Sequence, residues 1–481
     1  MNGHDQTSGP RRIAVVGGGI TGLAAAHRVT ELDPSCEIRL YEAGDRLGGV
    51  LYTERQDDFL LEFGADNFIT NVPWGLDLCQ RVGIADQLLQ TNASRRRALV
   101  VRNGRLHPVP EGFMLMEPRA LWPLVASPLL SWRGKARVLG EYFVAARRDV
   151  QDESLASFAR RRLGREAFER LVQPLAAGIY TADPEKLSLA ATMPRFLEME
   201  RQHGGLIRAV RRSKSSGANQ DGAGGGARYS LFVAPRDGMR TLATAIAGHL
   251  PKDAVRMNSP VTQLARRPTG GWDISIDGAA QPEHFDAVIL ALPAYAAGRI
   301  VQPIDDALSG ALTAIPYASS ALVVVTYKES QLARPLDGFG FVVPDVERRP
   351  ILAGSFTSMK FVNRAPAGST IVRVFLGGAA RPELVSASDD ELFAIVDQQL
   401  QELIGVRGAP GLRRIVRWQR AMPQYHLGHL DRLKEINEHV ARLPGLELAG
   451  NAYDGVGVPH CIRSGEAAAQ RALSALSLTP A

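Results

Sequence analysis

Cysteine is scarce: Cys36, Cys79 and Cys461 are the only three in 481 residues, they lie far apart, and no CxxC pair occurs. A disulfide framework and a cysteine-built zinc site are therefore excluded, and no metal site is expected. Long apolar runs are missing as well. No stretch reaches the roughly 18 consecutive apolar residues that a spanning helix needs. The polar start Met1 to Pro10 lacks the apolar core of a signal peptide. Arg11 and Arg12 precede an apolar segment in twin-arginine fashion, but that segment runs straight into a glycine-rich turn and reads as a first strand rather than an export signal. The expected location is cytoplasmic.

Even charge is missing too, because basic side chains crowd the middle of the chain. The whole chain carries a net charge of +6, whereas Arg95 to Lys214 holds 23 basic and 12 acidic side chains, a surplus of 11 that leaves the rest at −5. Charge this local asks for an anionic partner. No helix-turn-helix, RNP-like or zinc pattern accompanies it, so nucleic acid is disfavoured and an anionic membrane surface or an acidic substrate is preferred. A length of 481 residues exceeds what one core organises, so two or three interleaved domains are expected.

Ile13 to Val16 reads as a short apolar strand, followed by Gly17-Gly18-Gly19, a helical run Leu23 to Val29 and a second strand Ile38 to Tyr41, the βαβ opening of a doubly wound sheet. Between Arg119 and Glu200 the pattern turns helical, with Trp122 to Val125, Ala136 to Arg148 and Leu155 to Val172 showing apolar positions three and four apart among arginines. Ser213 to Ala227, rich in Gly, Ser, Asn and Asp, reads as a mobile surface loop. Beyond it, Trp272 to Ile276 and Ala321 to Tyr327 read as strands. Asp286 to Leu292 and Leu446 to Gly450 read as strands too, the former a parallel one returning to the first sheet, and Cys461 to Leu476 as a helix.

The chemistry sits in that opening. Gly17-x-Gly19-x-x-Gly22 lies between a strand and a helix, with Gly18, Ile20 and Thr21 completing the loop. A dinucleotide diphosphate rests on such a helix N-terminus, where free amides and the dipole favour negative charge. Glu42 follows Gly22 by 20 residues, at the end of the second strand, where a carboxylate accepts hydrogen bonds from a ribose. Arg46-Leu47-Gly48-Gly49 comes next and resembles the flavoprotein pattern in which an arginine and paired glycines approach the cofactor phosphates. No second such fingerprint appears. A nicotinamide site is therefore unsupported, and FAD with an external acceptor, oxygen being the simplest, is expected.

These segments, with the late Gly450 to Val458, are similar to the amine oxidase, phytoene desaturase and protoporphyrinogen oxidase superfamily; the oxygen-dependent protoporphyrinogen oxidases are its nearest branch. Arg97 to Val100, Gly104 to Leu106, Gly178 to Asp183, Leu187-Ser188, Gly338 to Pro344 and Pro423 to His429 follow in family order. The resemblance implies an α/β fold with three parts. A discontinuous Rossmann-like FAD-binding domain spans residues 11–85, 245–305 and 435–475. An α+β substrate domain spans 86–120, 205–244 and 306–434, and a helical, membrane-associating subdomain spans 121–204. It also places Gly64, Ala65, Asp66 and Asn67 at the flavin edge, Val261 at the adenine side, Trp418 near the flavin, and Val456, Gly457 and Val458 against the isoalloxazine or ribityl region. Asp66 stands where the family often has asparagine, so a catalytic role for that asparagine does not transfer. Cys461 lacks a flavin-attachment context, which favours non-covalent FAD.

The implied reaction is oxidation of protoporphyrinogen IX to protoporphyrin IX with oxygen as acceptor, in three rounds that yield peroxide. Such a substrate is apolar with propionates at its rim, so the site must be wide, apolar and cationic at one edge. Arg97 suits a propionate because a guanidinium makes paired hydrogen bonds to a carboxylate. Phe339, between Gly338 and Gly340, suits a pyrrole face, and Gly178 permits backbone approach to the macrocycle. No side chain stands out as an obligate acid or base, so no catalytic residue is assigned beyond the flavin. Coproporphyrinogen III, with more propionates, is the alternative substrate; a redox-silent FAD-binding porphyrin carrier is the alternative class. An amine oxidase or carotenoid desaturase is disfavoured, because Asn451 and Asp454 surround Tyr453 alone where an aromatic pair would flank the late flavin motif. Peripheral attachment to the inner face of the cell membrane is expected from the basic helical region, and an oligomer is left open.

Overall fold

A computed structural model describes residues 10–149, 151–215 and 231–478. Most of the expected loop between Ser213 and Ala227 lies outside them. Ser213 itself is within the helix Leu206–Ser215.

Five parallel strands form the first sheet, in the order Val255–Arg256, Glu37–Tyr41, Arg12–Val16, Ala287–Leu290, Leu446–Leu448. The strands come from the beginning, middle and end of the chain, as expected. Arg12–Val16 is central and apolar because both its faces are covered. Side chains alternate across a strand. Ile13 and Val15 therefore enter one core with the helices Ile20–Leu32, Arg240–Gly248 and Val458–Leu478. Ala14 and Val16 enter another, beneath the antiparallel meander Val261–Arg266, Trp272–Ile276, Glu283–Phe285. The first and last helices pack closely, since a Cβ at Gly465 would run into the Thr21 carbonyl oxygen.

The second sheet has seven strands in the order Arg413–Pro423, Tyr317–Lys328, Ser369–Gly377, Ile351–Phe356, Gly340–Val342, Ala98–Arg102, Arg105–Pro108. One face carries the helix Asp389–Ile404, whose N-terminus is fixed by a Ser388/Glu391 capping box and whose end is turned by Gly405. The other face packs Leu322, Val324 and Ile371 on Leu61 and Phe63, which joins this sheet to the cofactor half.

The stretch from Leu121 to Ser215 is helical, though more broken than its periodicity predicts. Trp132–Leu139 passes into a 3-10 turn, Gly140–Phe143, instead of continuing to Arg148. The run Leu155 to Val172 breaks at Gly164, whose φ of +89° ends one helix and begins the next. Buried charge anchors this layer: Arg162 pairs with Glu141, and with Glu200 at 3.2 Å, while Glu141 also accepts from the amides of Leu206 and Ile207 at 2.8 and 3.0 Å. Breaking one partner would leave an uncompensated charge in the core.

Candidate functional site

The glycine loop closes where the first strand delivers it. Gly17 N–H donates to the Tyr41 carbonyl at 2.8 Å, and Gly48 N–H to the Gly18 carbonyl at 2.8 Å, so the Arg46 to Gly49 turn lies against the first loop. A Cβ at Gly22 would collide with the Gly17 carbonyl oxygen, which is why the helix can start so close to the strand. At Gly19, by contrast, a Cβ would meet nothing within 4 Å. No side chain caps the helix that begins at Ile20. The open space therefore faces an amide-rich helix N-terminus, which fits a diphosphate.

Glu42 leaves the second strand and accepts from Gly18 N–H at 2.7 Å and Gly44 N–H at 2.8 Å, one through each carboxylate oxygen. Each oxygen keeps a lone pair for a ribose hydroxyl. Arg46 lies over the Tyr52 ring at 4.3 Å. Thr21 is buried beside the last helix, and Val261 opens the meander, partly buried against the second core. These residues fit the adenosine and diphosphate of FAD.

The Gly64 to Asn67 segment runs along the seam between the two sheets. A Cβ at Gly64 would strike the Val50 carbonyl, Ala65 packs on the cofactor-side core, and Trp418 Nε1 donates to the Phe63 carbonyl at 2.7 Å. Asp66 is buried and takes Lys360 Nζ and Arg373 Nη1 at 2.9 Å each, as well as Asn67 Nδ2 at 2.6 Å. Burial pushes its carboxyl up, but Lys360 and Arg373 outweigh burial and hold it well below the ordinary range. Nearby, burial pushes the Glu62 carboxyl up to about 7, against hydrogen bonds from Thr53 and the Met239 amide.

Lys360 and Arg373 escape sequence reasoning because they lie about 300 positions from Asp66. A guanidinium inside the apolar strand Ser369–Gly377 is the one available signal, since such a charge requires a carboxylate.

Val456, Gly457 and Val458 lead into the last helix. Val456 packs on the helical layer and Val458 on the cofactor core, so this turn bridges both. Burial pushes the adjacent Cys461 thiol up to about 11, which keeps it protonated and unreactive at neutral pH.

At the edge of the seven-stranded sheet, a cleft of about 600 Å³ is lined by Phe113, Met114, Leu115, Pro123 and Leu175, with Arg96 and Arg97 among its polar lining residues. The Arg97 side chain is 51% exposed and pairs with Asp337 at 2.9 Å. Phe339 is its backbone neighbour, donating to the Arg97 carbonyl at 2.9 Å, yet its ring is buried and does not line this cleft. Gly178 also lies off the cleft: a Cβ there would touch Val342 at 3.5 Å.

Residues 20–473 match the family described as flavin containing amine oxidoreductase. The chain belongs to that family. It is 32% identical to a coproporphyrinogen III oxidase of Bacillus subtilis, covering 98% of this chain and 99% of the relative. Identity to a coproporphyrinogen III oxidase of Propionibacterium freudenreichii is 34%, covering 97% and 92%. A protoporphyrinogen oxidase of Arabidopsis thaliana is 29% identical over 97% and 94%. A crystal structure from Exiguobacterium sp. 255-15, provisionally named a protoporphyrinogen oxidase, superposes with a TM-score of 0.85 at 31% identity, covering 97% of this chain and 99% of that one. The fold is thus the α/β fold of the family, and membership implies a flavin cofactor.

Proposed function

We propose that this protein is an FAD-dependent porphyrinogen oxidase and that its substrate is coproporphyrinogen III, in preference to protoporphyrinogen IX. The observation that carries the reading is the pairing of an amide-lined dinucleotide crevice with an apolar cleft edged by Arg96 and Arg97. End-to-end likeness to bacterial coproporphyrinogen III oxidases supports the four-propionate substrate over the two-propionate one. Every added carboxylate gains from a cationic rim.

In this reading Gly17 to Gly22, Glu42 and Arg46 to Gly49 hold non-covalent FAD, and Gly64 to Asn67, Trp418 and Val456 to Val458 surround its reactive end. Bound flavin would supply two-electron hydride acceptance, with oxygen as the external electron acceptor. The chain's own residues bind and orient: Arg97 exchanges Asp337 for a propionate, and Phe113, Met114 and Leu175 exclude water from the macrocycle. Proton loss needs no dedicated base.

The seven-stranded sheet thus carries the substrate and the parallel sheet the cofactor. The helical layer carries peripheral membrane contact through Trp122, Trp132 and Phe143, which are 79%, 76% and 81% exposed; Lys135 lies over the Trp132 ring, and Arg208 and Arg211 over Tyr142, next to Phe143. Among the described residues no helix is long and apolar enough to cross a membrane.

Aerobic turnover with both porphyrinogens, read by product fluorescence, is the deciding experiment. The expected result is faster oxidation of coproporphyrinogen III. Faster turnover of protoporphyrinogen IX would reverse the substrate assignment, and porphyrin binding with no anaerobic bleaching of flavin would make the protein a carrier.

A further inference from the structure

The segment after strand Arg413–Pro423 ties three parts of the molecule together. Its backbone is bound to the helical layer: Ser188 N–H donates to the Tyr425 carbonyl and Leu427 N–H to the Lys186 carbonyl, both at 2.8 Å. Asp152 accepts from Ser188 Oγ at 2.8 Å and from Gly428 N–H at 3.1 Å. From this strap the Tyr425 side chain reaches the opposite way, into the turn between strand Leu446–Leu448 and the last helix. Its phenol donates to the Asn451 carbonyl and accepts from Gly455 N–H at 2.9 Å. One hydroxyl thereby closes both ends of a turn whose Gly450 and Gly455 have φ of +141° and +119°. Behind the ring, His429 stacks in parallel at 4.2 Å with 10° between the planes, and both rings are buried.

That turn continues directly into Val456 to Val458, which pack on the helical layer and the cofactor core at once. A turn held by left-handed glycines has little conformational preference of its own, so its geometry is set by whatever binds its carbonyls and amides. Tyr425 does so from the substrate side. We infer that Tyr425 is a positioning residue, a clamp that fixes the flavin-facing turn at 450–458 relative to the helical layer and the cleft. His429 is its backing plate. The inference rests on the flavin reading above and adds the element that aligns cofactor and substrate halves.

Tyr425→Phe keeps the ring on His429 and deletes both hydrogen bonds. Loss of two such bonds is expected to weaken FAD binding to the apoprotein about tenfold. It should also change the visible circular dichroism of bound flavin and slow anaerobic flavin reduction by porphyrinogen, while the KM for porphyrinogen stays within about twofold. His429→Ala, which leaves the phenol but removes its support, should shift the flavin signal in the same direction by less. Tyr327→Phe removes another buried phenol, remote in the second sheet, and controls for lost stability alone. Wild-type FAD affinity and dichroism in Tyr425→Phe, or changes equalled by Tyr327→Phe, would overturn the clamp. A wild-type protein that takes up no FAD would instead bring down the flavin reading.

Discussion

Asp66 offers the sharpest test of the seam between the two sheets. Its carboxylate lies between Lys360 Nζ and Arg373 Nη1 at 2.9 Å each, and the two cationic side chains are only 16% and 2% exposed. Asp66→Asn preserves volume but removes the charge, leaving Lys360 and Arg373 without the carboxylate that pairs with both. Breaking one partner of a buried ion pair costs about 3–5 kcal/mol, most of it the penalty on the charge left behind. The same logic predicts partial rescue: Asp66→Asn with Arg373→Met removes the stranded guanidinium and should recover more than half of the loss, a coupling that a double-mutant cycle measures. Urea denaturation of the four proteins, with flavin retention followed in parallel, is the assay. A loss under about 1 kcal/mol for Asp66→Asn, or an additive double variant, would refute an ionised, paired Asp66.

At the cleft, Arg97→Ala should lower kcat/KM about tenfold through KM, at unchanged flavin content, because a half-exposed charge pair is partly screened. Asp337→Asn, which frees that guanidinium, should lower KM; equal small effects at Arg95, Arg96 and Arg97 would count against propionate recognition. Burial, helped by Arg432, pushes His429 down to about 4, so the unfolded chain binds its proton more readily. The stability it contributes is then full above about 6.5 and lost as pH falls toward 4, by up to about 3 kcal/mol, and His429→Phe should remove that part of the acid sensitivity in urea melts at pH 4.5 and 7. Gly19→Val should fill the open space before the first helix and abolish FAD uptake, so normal flavin content in that variant would remove the diphosphate assignment. Vesicles of anionic phospholipid should carry the protein in flotation at low salt and release it at high salt, whereas no flotation at low salt would leave Trp122 and Trp132 without a membrane role.

The cofactor half was legible because its constraints are local. A strand, a collision-free Gly22 and a carboxylate 20 residues later all fall within one βαβ unit, so spacing alone locates Gly17 to Glu42. Assembly of the sheet from distant segments was legible for a related reason: Ala287–Leu290 is apolar on both faces, as a central parallel strand must be. The helical layer was read less well. Periodicity registered its apolar positions but not the interruption at Gly164 or the 3-10 turn at Gly140–Phe143, which follow from tertiary demands such as burying Glu141 against Arg162. Tyr425 and Lys360 have no local signature, and Arg373 only its place in an apolar strand, because their partners, Asn451, Gly455 and Asp66, belong to other parts of the chain.

The charges at the seam also bear on why no acid or base stood out. A carboxylate held between two cations far below its ordinary range is a poor proton acceptor at neutral pH, which removes Asp66 from that role. Glu62, pushed up to about 7 by burial, has the right proton affinity, but its oxygens are taken by Thr53 Oγ1 at 2.7 Å and the Met239 amide at 2.8 Å. Asp66 thus braces the join between sheets, and Glu62 ties its hairpin to the start of helix Arg240–Gly248. In the proposed oxidation a methylene bridge loses hydride and the resulting conjugated cation makes a pyrrole N–H acidic enough to lose its proton to water. What the protein must then supply is alignment of the macrocycle with the flavin, and discrimination by the number of carboxylates meeting the Arg96 and Arg97 rim. A substrate ester, with every carboxylate masked, should therefore lose the advantage conferred by Arg97 while still reducing the flavin. If the ester distinguished wild type from Arg97→Ala as strongly as the free acid does, rim charge would not be the source of selectivity.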